Sequence, residues 1–192
     1  ETSAVSRPLF NGNIMGMSTS LSQFGLAHYR YRYDQLNRLT EKHSFQQVTN
    51  NLQETPDFAE YLSYDANGNI LTANRNASLA SAGGQAMDNL NYEYETNTNK
   101  LSHVTDQVSA SAHSHDIDGQ LFQNYTYDKI GNLVADSQEH ITSISWSVYG
   151  KIQGILQRNT TTGKETSTQY GYDPSGNRTY KEVIRRDIGN YS

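Results

Sequence analysis

Tyr125-Thr-Tyr-Asp-Lys-Ile-Gly-Asn-Leu133 is the stretch that decides how this chain is read. Two tyrosines two residues apart leave the same face of an extended backbone, and aromatic residues favour strands. Asp128 follows, then two loose positions, then Gly131. A type I turn takes Asp first, where the carboxylate can accept a backbone N–H, and Gly fourth, where a left-handed conformation is needed. Such a turn, closed by an αL residue that forms a bulge, is a standard three-residue hairpin loop. The stretch therefore predicts a strand, a tight turn and a returning strand.

The pattern recurs as Tyr31-Arg-Tyr-Asp-Gln-Leu-Asn-Arg-Leu39, Tyr61-Leu-Ser-Tyr-Asp-Ala-Asn-Gly-Asn-Ile70 and Tyr170-Gly-Tyr-Asp-Pro-Ser-Gly-Asn-Arg178. Two degenerate copies complete the set. Tyr92-Glu-Tyr-Glu-Thr-Asn-Thr-Asn-Lys-Leu101 has one extra residue in its turn, and Ser145-Trp-Ser-Val-Tyr-Gly-Lys-Ile152 puts Trp146 in the second tyrosine's place. Anchored on Tyr33, Tyr64, Tyr94, Tyr127, Trp146 and Tyr172, the steps are 31, 30, 33, 19 and 26 residues. A fixed unit with variable connections points to repeat architecture rather than to a catalytic domain. With those anchors, Asp34, Asp65, Asp128, Asp173, Gly68, Gly131, Gly150 and Gly176 are the residues on which the unit is built, as turn formers and not as an acid–base pair. Positive φ is expected at Gly68, Gly131 and Gly176. Tyr64, Tyr127, Trp146 and Tyr172 are expected on a common, largely buried face, each tyrosine burying about 150–250 Å² for a gross 4–6 kcal/mol before entropy.

Composition agrees with a chain that packs through aromatics. Leu, Ile, Val and Phe make up only 36 of 192 residues, a level that with high net charge would signal disorder. The formal charge is only −5, and 14 Tyr with Trp146 supply the missing apolar area. That balance leaves no basic footprint, which argues against a nucleic-acid partner. Absence of cysteine excludes disulfides, thiol nucleophiles and zinc ribbons. No apolar run approaches 18 residues, so no membrane span is read. The sequence opens on Glu1 without a charged and apolar leader, and neither end reads as a polar cap, which suggests a piece of something longer.

Three segments are expected: residues 1–27, holding Arg7-Pro-Leu-Phe-Asn-Gly-Asn-Ile14 with an Asn11-Gly12 hairpin signal and pairing with the array; residues 28–186, the six hairpin units; and residues 187–192, the start of a following segment. Polar inserts from 46 to 60, 74 to 91 and 105 to 124 read as loop, with a helical turn allowed between Asn76 and Met87 and a short turn at Asp57-Phe-Ala-Glu60. His113-Ser-His-Asp-Ile-Asp-Gly119 is the ligand-like cluster, but as a calcium loop its register fails: Ser114 would stand first and no Glu stands twelfth. It is read as a solvated insert. No catalytic, cofactor or metal residue is assigned, and the chain is not expected to be an enzyme. The Asn-x-Ser/Thr triplets at Asn76, Asn124, Asn159 and Asn190 are chance matches in an Asn-rich sequence.

The repeat, Tyr-x-Tyr-Asp-x-x-Gly-Asn-Leu over residues 10 to 186, resembles the YD repeat of bacterial RHS (rearrangement hotspot) proteins, shared with toxin-complex C components, wall-associated proteins and teneurins. The stretch from Tyr125 to Lys181 is similar to the last repeats before the core of RHS proteins of Bacteroidetes-type bacteria. The resemblance implies an all-β fold in which hairpins form a strip of a spiralling shell, or cocoon, around a C-terminal polymorphic toxin or other payload. It implies a secreted or cell-surface location and, as partners, the rest of the same polypeptide, its payload and the secretion machinery. The family's self-cleaving aspartyl protease core finds no counterpart here, and Arg178 departs from the usual Leu. The alternative is a β-repeat module that binds surface carbohydrate or a protein. Cut from a longer strip, such a segment has open edges that pair with other chains.

Overall fold

The computed structural model describes residues 9–21, 25–114 and 116–189. Within them the chain is all-β, as the hairpin pattern predicts, with no helix. The strands are β1 (Gly16–Leu21), β2 (Gly25–Tyr33), β3 (Leu39–Val48), β4 (Asn51–Tyr64), β5 (Ile70–Asn76), β6 (Ala86–Tyr94), β7 (Leu101–Asp106), β8 (Tyr125–Tyr127), β9 (Leu133–Asp136), β10 (Ile141–Trp146), β11 (Ile152–Asn159), β12 (Lys164–Tyr172) and β13 (Arg178–Asp187). They form two meanders, β1 to β7 and β8 to β13, in which each strand lies beside its sequence neighbour and neither sheet closes on itself. The chain divides into two compact units, Glu1–Tyr92 with Val104–Gly119, and Glu93–His103 with Gln120–Ser192.

Five of the repeat hairpins carry a bulge where the sequence places it. The ladder slips between Arg32 and Tyr33, between Ser63 and Tyr64, between Thr126 and Tyr127, between Ser145 and Trp146, and between Gly171 and Tyr172. A bulge leaves two residues facing one, which sharpens the local twist and re-aims the side chain that follows. The anchor aromatic of every one of these hairpins sits at that slip. Opposite Gly171, its register partner Tyr180 lays its ring over the bare backbone, so that a Cβ at Gly171 would stand 2.0 Å from a ring carbon.

Among the described residues buried apolar side chains are few: Phe45, Ala59, Ala73, Ala77, Leu90 and Val104 in the first unit and Ile144 in the second. Tyr64, Tyr127, Trp146 and Tyr172 are each partly rather than fully enclosed. Their polar ends reach backbone of the neighbouring hairpin.

Several loop expectations also change. Residues 46 to 60 form no loop, because β3 and β4 continue their ladder from Ser44↔Thr55 out to Val48↔Asn51. Backbone pairing needs no apolar side chains once a register has been set, so a polar stretch extends it. Asp57-Phe-Ala-Glu60 is an irregularity inside β4 and not a free turn: Phe58 takes a φ of 57° and sends its N–H to the Ala77 carbonyl at 3.3 Å. Between Asn76 and Met87 the backbone makes successive tight turns, Ser81 N–H to Ser78 O at 2.8 Å and Gly84 N–H to Ser81 O at 3.1 Å, in place of a helical turn. Asn11-Gly12 forms a bend with Gly12 at φ 84° instead of joining two strands. Arg7 and Asn190 lie outside the described residues.

Candidate functional site

The repeated turn is built by its aspartate. In the hairpin between β8 and β9, Asp128 N–H donates to Asn132 O at 2.9 Å and Gly131 N–H donates to Asp128 O at 3.2 Å. Oδ1 of Asp128 accepts the N–H of Ile130 at 3.0 Å and of Asn132 at 2.9 Å, while Oδ2 accepts the Asn132 side-chain amide at 3.0 Å. Asp65 and Asp173 repeat the arrangement with Asn69 and Asn177. In the first copy Arg38 replaces that asparagine, its Nε lying 2.6 Å from Asp34 Oδ2. All four aspartates are therefore occupied as turn formers.

Gly68, Gly131 and Gly176 have φ of 94°, 95° and 80°, as the turn requires, and Asn37 takes 63° in the copy without glycine. A branched side chain is strained at such angles, so Gly131→Val is expected to cost about 1–2 kcal/mol or more. Equilibrium unfolding checks this, and an unchanged midpoint would show the turn to be permissive.

Those hydrogen bonds hold the four carboxyls below the ordinary aspartate range. The main cause is the Arg38 backbone N–H at Asp34, the Asn69 side-chain amide at Asp65 and the Asn177 backbone N–H at Asp173. At Asp128 desolvation is the largest effect and opposes the shift, and the Asn132 and Ile130 donors outweigh it. A carboxyl whose folded pKa is depressed stabilises the fold above its unfolded value and loses that contribution as pH falls through the folded value. The turns should thus hold at neutral pH and loosen only below about pH 4. Carboxyl NMR titration should place the four midpoints under about 3.9, and midpoints at or above that value would contradict the turn geometry.

The hairpins are joined by a second repeated contact. Tyr33 Oη donates to Ile14 O at 2.8 Å, Tyr64 to Leu39 O at 2.7 Å, Tyr127 to Leu101 O at 3.0 Å and Tyr172 to Ile152 O at 2.7 Å. Trp146 Nε1 donates to Leu133 O at 2.8 Å. Each acceptor is the Leu or Ile that closes the preceding Gly-Asn-Leu-type turn or its variant. The second aromatic of the motif and its last residue are thus donor and acceptor in successive units. Burial raises the pKa of the Tyr64 and Tyr127 hydroxyls, which keeps them protonated as donors. Sequence reasoning found the aromatics but not this role. A signal was present: the six anchors are five Tyr and one Trp, all with a polar hydrogen, although the chain also holds five Phe.

Elsewhere the described residues offer less. His113, expected in a ligand-like cluster, bonds the Ala86 carbonyl through Nε2 at 3.1 Å, while His115 lies outside the described residues. Asp116 leaves that cluster and joins Asp88 and Asp106. Ser18 Oγ lies 2.6 Å from His28 Nδ1, but the two are direct cross-strand partners on β1 and β2, and no carboxylate among the described residues bonds the other imidazole nitrogen. Strand register alone brings this pair together.

The architecture is an all-β array of antiparallel hairpins joined by aromatic donors. No protein-family model matches the sequence, and no curated protein matches it. Among solved structures, "Crystal Structure of TcdB2-TccC3-TEV" is similar over 91% of this chain and 9% of its own, at 16% identity and a TM-score of 0.45. The chain thus spans less than a tenth of that protein's length.

Proposed function

We propose that this chain is a section of the wall of an RHS-type shell, part of a large exported bacterial polypeptide that encloses a C-terminal toxin or other payload. The carrying observation is the joint between hairpins, in which an aromatic N–H or O–H of one unit is tied to the carbonyl that closes the unit before it. Such a joint adds hairpins in fixed order and needs no covering helices. Each sheet ends on strands with one edge unpaired among the described residues, β1 and β7 in one and β8 and β13 in the other, which suits a strip continued by further hairpins. The role is mechanical: the sheet separates an interior from solvent, and its partners are the rest of the polypeptide and the payload. In the full-length protein, the region following the repeats should resist a protease that digests it readily once it is released. Equal digestion of the enclosed and released forms would sink this reading, and saturable binding of one surface glycan by the repeats would favour the recognition module instead.

A further inference from the structure

Three aspartates far apart in sequence meet in the first unit. Asp88 lies on β6, Asp106 ends β7 and Asp116 belongs to the insert that follows, and each offers a carboxylate oxygen within 4.8 Å of the others'. Asp88 has a fully buried side chain, with Oδ2 2.7 Å from Arg75 Nε and Oδ1 accepting the Ile117 N–H at 3.2 Å. Asp106 Oδ1 accepts the N–H of Asn89 at 2.8 Å and of Val108 at 3.0 Å. The remaining oxygens are the informative ones. Asp106 Oδ2 and both oxygens of Asp116 each expose less than 1 Å² and have no hydrogen-bond partner.

An orphaned buried carboxylate is costly, and three carboxylates against one guanidinium leave two negative charges uncompensated. One divalent cation removes both deficits at once: it neutralises the charge and gives the orphaned oxygens a partner. Carboxylate oxygens are hard ligands, suited to calcium, magnesium or manganese rather than to softer metals. Oxygens within 4.8 Å of one another can each lie about 2.3–2.6 Å from a single calcium ion, whose flexible coordination tolerates a site set by strand register. We propose that Asp88, Asp106 and Asp116 bind a calcium ion that pins the 107–119 insert to the ends of β6 and β7. The local Asp-x-Asp-Gly spacing in 116–119 is not the site; Asp116 works with two residues that strand pairing delivers.

Calorimetric titration of the chelator-treated protein with calcium chloride should show saturable binding near one ion per chain. Asp116→Asn and Asp106→Asn, close to isosteric, should each weaken it at least tenfold, and magnesium should bind more weakly than calcium. Hydrogen exchange of the unsubstituted protein supplies a readout independent of whether the variants fold: calcium should slow exchange in residues 107–119. No calcium binding, binding unchanged in both variants, or calcium that leaves exchange in 107–119 unaltered would each overturn the site.

Discussion

Leu90→Ala is expected to destabilise the protein by about 2–5 kcal/mol. Leu90 is only 1% exposed, in an interior that has few other large apolar groups. On β6 it faces Ala73 of β5 across the ladder, and Ala59 and Ala77 are also buried in this unit. The cost of a cavity depends on how far its walls can relax, and alanines have no side chain long enough to swing in. Backbone hydrogen bonding of the strands prevents collapse from that direction too. The loss should therefore fall in the upper part of the range, seen in urea as a lowered midpoint with an unchanged slope. A loss under about 1 kcal/mol would mean that Leu90 is not the centre of a packed interior.

Tyr127→Ala should cost about 2–4 kcal/mol, and comparison with Tyr127→Phe divides that loss into its parts. The ring is half-buried, so its truncation forfeits less than that of a fully enclosed aromatic. Lys100 Nζ lies 5.7 Å from the ring centroid and adds a small cation–π contribution that phenylalanine keeps. Phenylalanine loses only the bond to Leu101 O, about 0.5–1.5 kcal/mol. If the joint is what aligns successive hairpins, the phenylalanine variant must show a measurable loss and faster amide exchange around Leu101. A phenylalanine variant as stable as the parent would reduce the anchor tyrosines to packing residues.

How much of this was legible in the sequence follows from how local each feature is. Asp128 to Gly131 specify their turn within four residues, through one carboxylate and one left-handed position, so turn type, bulge and positive φ could all be read directly. The joint was half legible. Tyr127 is visible as an anchor, but its acceptor is a backbone carbonyl, which every residue has and no side chain advertises. The long β3–β4 ladder was hidden because Gln46, Gln47, Gln53 and Glu54 lack the apolar alternation that marks a half-buried strand, although their backbones pair normally. The aspartate cluster had no local signature either: 18 residues separate Asp88 from Asp106 and ten separate Asp106 from Asp116, and strand register assembles them.

The account's central claim, that these hairpins are consecutive pieces of a shell wall, is tested most directly by electron cryomicroscopy of the full-length polypeptide. The expected map shows a continuous wall in which further hairpins pair with the open edges of β1 and β13. Within it, the hydroxyls of Tyr64, Tyr127 and Tyr172 stand at hydrogen-bond distance from the carbonyls of Leu39, Leu101 and Ile152, and the wall encloses density for a payload. A map in which these residues form a separate body, with both edges exposed and nothing enclosed, would contradict the claim.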